Sequence, residues 1–131
     1  MADAEHAGPL TRKVLDYDQT VRRLVPTAEG PEDFAPLADL VNVTRFERVG
    51  TFLEVQDWQQ YIEMLARWGS RTASFDTTVR RISELPDLVY YEIEERHTRG
   101  GQVATVNSLT VFQFDDDGKI CHLDVYLQAA R

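Results

Sequence analysis

Residues 102–128 read QVATVNSLTVFQFDDDGKICHLDVYLQ, and this stretch spells out two strands and the turn that joins them. In its second half Cys121, Leu123, Val125 and Leu127 alternate with His122, Asp124, Tyr126 and Gln128. A period of two with one apolar and one polar side is the signature of a half-buried strand. The run Asp115-Asp116-Asp117-Gly118 breaks the pattern, and Asp with Gly is turn chemistry because both tolerate positive φ. The first half is apolar on both sides, with Ala104, Val106, Thr110, Phe112 and Phe114 on one and Val103, Leu109 and Val111 on the other. In a one-sheet domain such a strand needs a second cover. A homodimer packed through the outer sheet faces is the simplest cover, and a segment of the same chain folding over it is the alternative.

Working upstream, the same period predicts strands over about 74–84 and 88–98, in addition to those over 102–115 and 119–128. Leu85-Pro86-Asp87 and Arg99-Gly100-Gly101 separate them as turns. Before residue 74 the spacing is helical. Leu10, Val14, Tyr17, Val21 and Leu24 form one stripe, with Thr11 as a candidate N-cap. Pro26 to Pro31 reads as a loop, followed by a short helix from about Asp33 to Asn42 that tolerates Pro36 only in its first turn. Val43 to Val49 alternates like a strand and closes on Gly50, with a short partner over Thr51 to Val55. Asp57 then caps a third helix carrying Trp58, Tyr61, Ile62, Leu65 and Trp68, with Gly69 placed just beyond its end. Helices first and hairpin-linked strands afterwards mean an α+β domain, a curved antiparallel sheet packed on three helices from the N-terminal half. Residues 1–9 read as a flexible tail and 10–131 as one domain.

The totals narrow the function. Apolar residues make up 43% and charged residues 27% of 131, a globular balance that can bury a core. The net charge of -8 repels phosphate backbones and anionic membrane surfaces, so neither nucleic acid nor membrane is an expected partner. No apolar run is long enough to span a bilayer, and Met1 to Pro9 lacks the apolar stretch of a signal peptide. Cys121 is the single cysteine, so no intrachain disulfide forms. These features point to the cytoplasm. His6, His97 and His122 have no ligand spacing, so no metal site is expected. The acidic run at 115–118 is a turn, because a calcium loop would need Glu where Tyr126 stands.

Face assignment gives the candidate site. In the 88–98 strand Val89, Tyr91 and Ile93 share a face with Glu95 and His97, so an apolar inward stripe turns ionisable near its end, as at a pocket mouth. Glu95 and His97 project the same way and could shuttle a proton or orient a substrate; a wet strand end before the glycine turn is the other reading. Cys121 and His122 point to opposite faces and cannot form a thiolate–imidazole pair. The Trp58-to-Trp68 stripe is core, with Trp58 as the aromatic bordering the pocket.

In order and in detail, the chain resembles the nuclear transport factor 2-like cone fold of the cystatin-like kind, nearest its SnoaL-like and ketosteroid-isomerase-like branch. Asn107 to Leu127 carries the most specific part of that resemblance, which extends from about Leu10 onward. It implies a small apolar ligand, no cofactor, and a catalytic base three residues before a glycine, the place of Glu47 before Gly50. It also implies an oxyanion donor on the first helix, Tyr17. Where the isomerases carry a second, protonated aspartate, this chain has Thr110, a departure that weakens the case for steroid isomerisation itself. Pocket-lining positions of the family fall on Tyr91, Ile93, Phe112, Leu123 and Leu127. Two functions follow: an isomerase, cyclase or lyase acting on an apolar carbonyl compound through Glu47 with Tyr17, Thr110 or His97, or a non-catalytic dimeric module that binds an apolar ligand or a partner. An epoxide hydrolase is the weaker enzyme reading, since no Asp-Arg-Asp arrangement can be assembled from the sequence.

Overall fold

The structure is a computed structural model and describes residues 8–69 and 74–130. Helix α1 spans Pro9–Leu24. Pro9 stands at the start, where a missing N–H leaves no bond unmade, and Gly8 precedes it as the cap. Thr11 is therefore not the N-cap. It is buried in the first turn, and its N–H donates to Glu84 Oε1 at 2.7 Å. Of the expected tail, residues 1–7 lie outside the described residues, and Gly8 and Pro9 belong to the start of α1.

A 3-10 turn at Pro31–Phe34 runs into the single-turn α2, Ala35–Ala38. Apolar spacing predicts a longer helix here. The chain leaves it because the sheet captures its backbone: Asn42 N–H donates to the Ile120 carbonyl at 2.9 Å, and Ile120 N–H donates to the Leu40 carbonyl at 3.0 Å. Helix α3 spans Trp58–Gly69 and opens on a reciprocal cap. Gln60 N–H donates to Asp57 Oδ1 at 2.8 Å, and Asp57 N–H donates to Gln60 Oε1 at 2.9 Å. Gly69 is the last residue of this helix rather than the one beyond it.

The strands are β1 (Glu47–Val49), β2 (Val55–Gln56), β3 (Ser74–Glu84), β4 (Leu88–Arg99), β5 (Gln102–Phe114) and β6 (Ile120–Ala129). The last four lie where the alternation puts them. β1 is shorter than expected, because residues 43–45 form a turn in which Arg45 N–H donates to the Asn42 carbonyl at 3.2 Å. The sheet order is β2-β1-β6-β5-β4-β3. All neighbours are antiparallel except β1 and β6, which run parallel, so the sheet is mixed rather than purely antiparallel. Register shifts at Arg80 in β3, and at Cys121 in β6 opposite Gln113/Phe114, mark bulges, which bend strands and increase twist.

Turn chemistry sets the hairpins. Gly100 and Gly101 have φ of 57° and 78°, the left-handed pair that a two-residue hairpin needs. At the β5–β6 turn Asp115 Oδ1 accepts N–H bonds from Asp117 and Lys119 at 2.9 Å each, and Oδ2 accepts from Asn42 Nδ2 at 2.8 Å. Those bonds favour the ionised form and hold its carboxyl below the ordinary range, the bond from Lys119 N–H most of all.

Helices α1 and α3 cover part of the inner sheet face. Val14, Tyr17 and Val21 from α1 and Tyr61, Ile62 and Leu65 from α3 join Val89, Tyr91, Ile93, Phe112 and Leu123 in one core. No helix among the described residues is long and apolar enough to cross a membrane. The last residue of α3 meets the C-cap of α1 backbone to backbone: a Cβ on Gly69 would lie 2.3 Å from the Val25 carbonyl oxygen. Gly69→Ala should therefore destabilise the fold by about 2 kcal/mol in urea unfolding. An unchanged midpoint would show that the helices can part there without loss.

Candidate functional site

Between the sheet and helices α1 and α3 lies a cavity of about 670 Å³, within the usual size of small-molecule sites. Strand parity decides most of its lining. β4 contributes Tyr91, Ile93, Glu95, His97 and Arg99; β5 contributes Ala104, Val106, Ser108, Thr110 and Phe112; β6 contributes Leu123, Val125 and Leu127. From the helices come Tyr17, Asp18 and Val21, and Tyr61, Met64, Leu65 and Trp68. The tip of the β4–β5 hairpin adds Gln102 and Val103 at the rim.

The hydroxyls of Tyr17 and Tyr61 are buried and hydrogen-bonded to each other. Two phenols hold two protons, and their mutual bond uses one, so one O–H is left to donate elsewhere. Burial, with the neighbouring phenol, raises the pKa of Tyr17, and burial raises that of Tyr61. Both therefore stay protonated. Arg48 pulls in the opposite direction on each, which places its charge close to the pair. Its guanidinium carbon lies 5.7 Å from the centre of the Tyr61 ring.

Asp18 accepts from Arg22 Nε at 3.2 Å and from Thr77 Oγ1 at 3.1 Å. Burial raises its pKa, and Arg22 offsets part of that effect. The Tyr91 hydroxyl is buried beside Asp18. Burial and then the Asp18 charge push its pKa upward. Asp18 and Tyr91 also border a smaller cleft between α1 and β3.

Towards the hairpin end, His97 Nε2 lies 3.1 Å from Glu95 Oε1. An ionised carboxylate can only accept, so Nε2 carries the proton in this pair. The imidazole stacks on Phe75 at 5.6 Å and meets Trp68 edge-on at 5.2 Å. Its Nδ1 is buried with no hydrogen-bond partner among the described residues. Aromatic walls and the carboxylate thus fix the orientation of the ring. Among the described residues no group of three or more His, Cys, Asp or Glu is placed to hold a metal ion.

Most residues expected at the site are brought together. Tyr17, Thr110, His97, Tyr91, Ile93, Glu95, Phe112, Leu123 and Leu127 all line the cavity. Glu47 does not. In the β1–β6 register Glu47 pairs with outward-facing His122, and Arg48 pairs with inward-facing Leu123. The Glu47 side chain is 53% exposed and meets His122 Nδ1 at 3.3 Å on the outer face. The inward residue of β1 is thus an arginine, not the expected carboxylate. Trp58 is also displaced: it packs on Phe46 at 5.3 Å and on Tyr61 at 5.9 Å, outside the cavity lining, and Trp68 one helical face further along borders the cavity instead. Arg48, Asp18 and Tyr61 were not foreseen as site residues. One had a signal: Asp18 lies four residues after Val14 on the α1 stripe.

The chain matches no protein-family model and no curated protein. Its likeness to solved structures is of another kind. An NTF2-like protein from Anabaena variabilis superposes with a TM-score of 0.75 at 12% identity, over 99% of this chain and 96% of that one. The chain has the NTF2-like fold. A protein assigned as a SnoaL-like polyketide cyclase from Shewanella putrefaciens shares this NTF2-like architecture, with a TM-score of 0.76 at 10% identity over 93% and 91% of the two chains. An LEH-like epoxide hydrolase from M. tuberculosis shares it at a TM-score of 0.67 and 17% identity over 92% and 86%. NTF2-like architecture at such identities specifies the backbone, and chemistry has to be argued from side chains.

Asp18 offers a test of the cavity's polarity. Because burial raises its folded pKa, ionisation opposes folding. Stability is greatest below the ordinary value of 3.8 and is lost as pH rises through the higher folded value. Asp18→Asn should melt at a higher temperature than the parent at about pH 8, and the gap should close as the pH falls toward 3.8. A variant less stable at the alkaline end would mean that the Arg22 pair outweighs burial.

Proposed function

We propose that the cavity binds a flat, largely apolar, carbonyl-bearing molecule and moves a proton on it without a cofactor, as an isomerase, cyclase or lyase. One observation carries the reading. A single cavity holds both a buried phenol pair with an O–H to spare and a carboxylate–imidazole pair. The charge of Glu95 is felt at Tyr61, which places the two groups within electrostatic reach across the same space.

The chemistry follows from these parts. His97 Nε2–H holds Oε1 of Glu95, and the other oxygen takes a proton from the carbon next to the carbonyl. The C–H electron pair moves through the new C=C bond onto the carbonyl oxygen. The spare phenolic O–H of the Tyr17–Tyr61 pair meets that developing charge, and burial strengthens the contact. Returning the proton to another carbon gives an isomer; losing a group from the next carbon gives a lyase product. Thr110, beside Tyr91 in the β4–β5 register, offers a further hydroxyl to the substrate. Glu47 has no part in this scheme, because it lies on the opposite side of the sheet. Names attached to other NTF2-like structures make polyketide-like carbonyl compounds and epoxides the first substrates to try. A reducing cytoplasm suits the buried single thiol of Cys121.

On any substrate found by such a screen, Glu95→Gln should lower kcat roughly 100-fold with a smaller change in KM, and Tyr17→Phe should act in the same direction. Glu47→Gln should leave turnover intact. Full activity in Glu95→Gln, or its loss in Glu47→Gln, would remove the mechanism. Ligand-induced thermal stabilisation with no turnover would instead favour the non-catalytic module.

We also propose that a second copy covers the outer sheet face. Tyr126 there is 58% exposed, and Tyr90 beside Val111 and Leu109 beside Tyr126 extend the apolar surface across three strands. Sedimentation should show a dimer that Tyr126→Asp dissociates. A parent protein that stays monomeric at about 100 μM, a concentration at which even a weak interface of roughly -8 kcal/mol would be filled, ends this idea.

A further inference from the structure

We infer that the substrate carries a carboxylate that seats on Arg48. The inference rests on the proposed small-molecule reading and adds the substrate class. Its starting point is a partly buried donor that lines the cavity and is poorly matched. The Arg48 side chain is 13% exposed, and a guanidinium withdrawn from water to that extent normally faces a carboxylate two-pronged. Here its hydrogen bond is to the neutral amide of Gln56, from Nη1 at 2.9 Å. The nearest carboxylate, Glu54, stands at 4.0 Å, beyond hydrogen-bonding distance, and is 44% exposed. The other oxygen of Glu54, Oε2, accepts the Phe52 N–H at 3.1 Å.

The other acids that line the cavity are engaged elsewhere. Asp18 is held by Arg22 and Thr77, and Glu95 by His97. Most of the Arg48 fork therefore has no acceptor among the described residues. Its guanidinium lies over the face of the Tyr61 ring, the carbon 5.7 Å from the ring centre. A guanidinium fork suits one carboxylate through two parallel bonds, and the single spare phenolic O–H of the Tyr17–Tyr61 pair stays with the carbonyl oxygen. Around this point the lining is apolar, with Leu65, Phe112 and Leu123. The matching ligand is an apolar body with one carboxylate, placed within a few bonds of the carbonyl on which the proton transfer occurs. A neutral ketone would leave the arginine uncompensated, a poor use of a buried charge.

Calorimetric titration of biphenyl-4-carboxylate and dodecanoate, each against its own primary amide, tests the assignment on the full chain. The acids should bind at least about tenfold tighter than the amides, the ratio worth one charge-assisted contact. Arg48→Met should remove the acid preference and leave amide binding in place, and Arg48→Lys should keep part of the preference. Equal binding of acid and amide to the parent protein, or a preference that survives Arg48→Met, overturns the carboxylate and leaves the cavity reading standing. Failure of acids and amides alike to bind overturns both. If Arg48→Met does not fold, the parent ratio together with Arg48→Lys decides.

Discussion

A curved six-stranded sheet has more inner face than two helices can cover, and the rest of the molecule follows from that mismatch. Helices α1 and α3 are drawn together, at the Gly69–Val25 approach and at the Tyr17–Tyr61 hydroxyl pair. Held in that way, they fill the space over Val89, Phe112 and Leu123 and leave the sheet uncovered towards the β4–β5 hairpin. Close packing would ordinarily remove such a void, because unfilled space forfeits dispersion contacts. Here the inward side chains near the hairpin, Ala104, Val106 and Ser108, are too small to fill it.

Burial then sorts the polar groups. The outer surface carries the chain's excess acid, much of it in exposed pairs such as Arg81 with Glu92. Inside, several titratable groups are bound to polar partners: phenol to phenol, imidazole to carboxylate, Asp18 to Arg22 and Thr77. What remains unmatched is mostly donors, on the Arg48 fork and the tyrosine pair, with His97 Nδ1 as an acceptor in the same cavity. A dry enclosure makes every such mismatch more consequential than it would be in water. That asymmetry, rather than any single residue, is why the cavity is read as a site and not as a packing defect.

Much of the fold was legible because it is local. Alternation placed β3 to β6, and glycine pairs placed the hairpins. Since side chains alternate strictly along a strand, the inward strip from Tyr91 to His97 could be read before its partners were known. Glu47 shows where such reading stops. β1 is only Glu47–Val49, preceded by a turn, so no run of residues is long enough to reveal which parity faces in. Resemblance pointed to the carboxylate; the pairing with β6 turned it outward.

By itself, then, the sequence determined the element order, the long strands, their turns and the apolar strip that lines the cavity, because each depends on neighbours a few residues apart. Tertiary structure alone decided which way β1 presents its side chains, that α2 ends early, and that Arg48 meets Tyr61 of α3. Those outcomes depend on contacts between distant segments, such as Leu123 beside Arg48 and Ile120 beside Val41. Local periodicity carries no record of contacts that form only when the chain closes on itself.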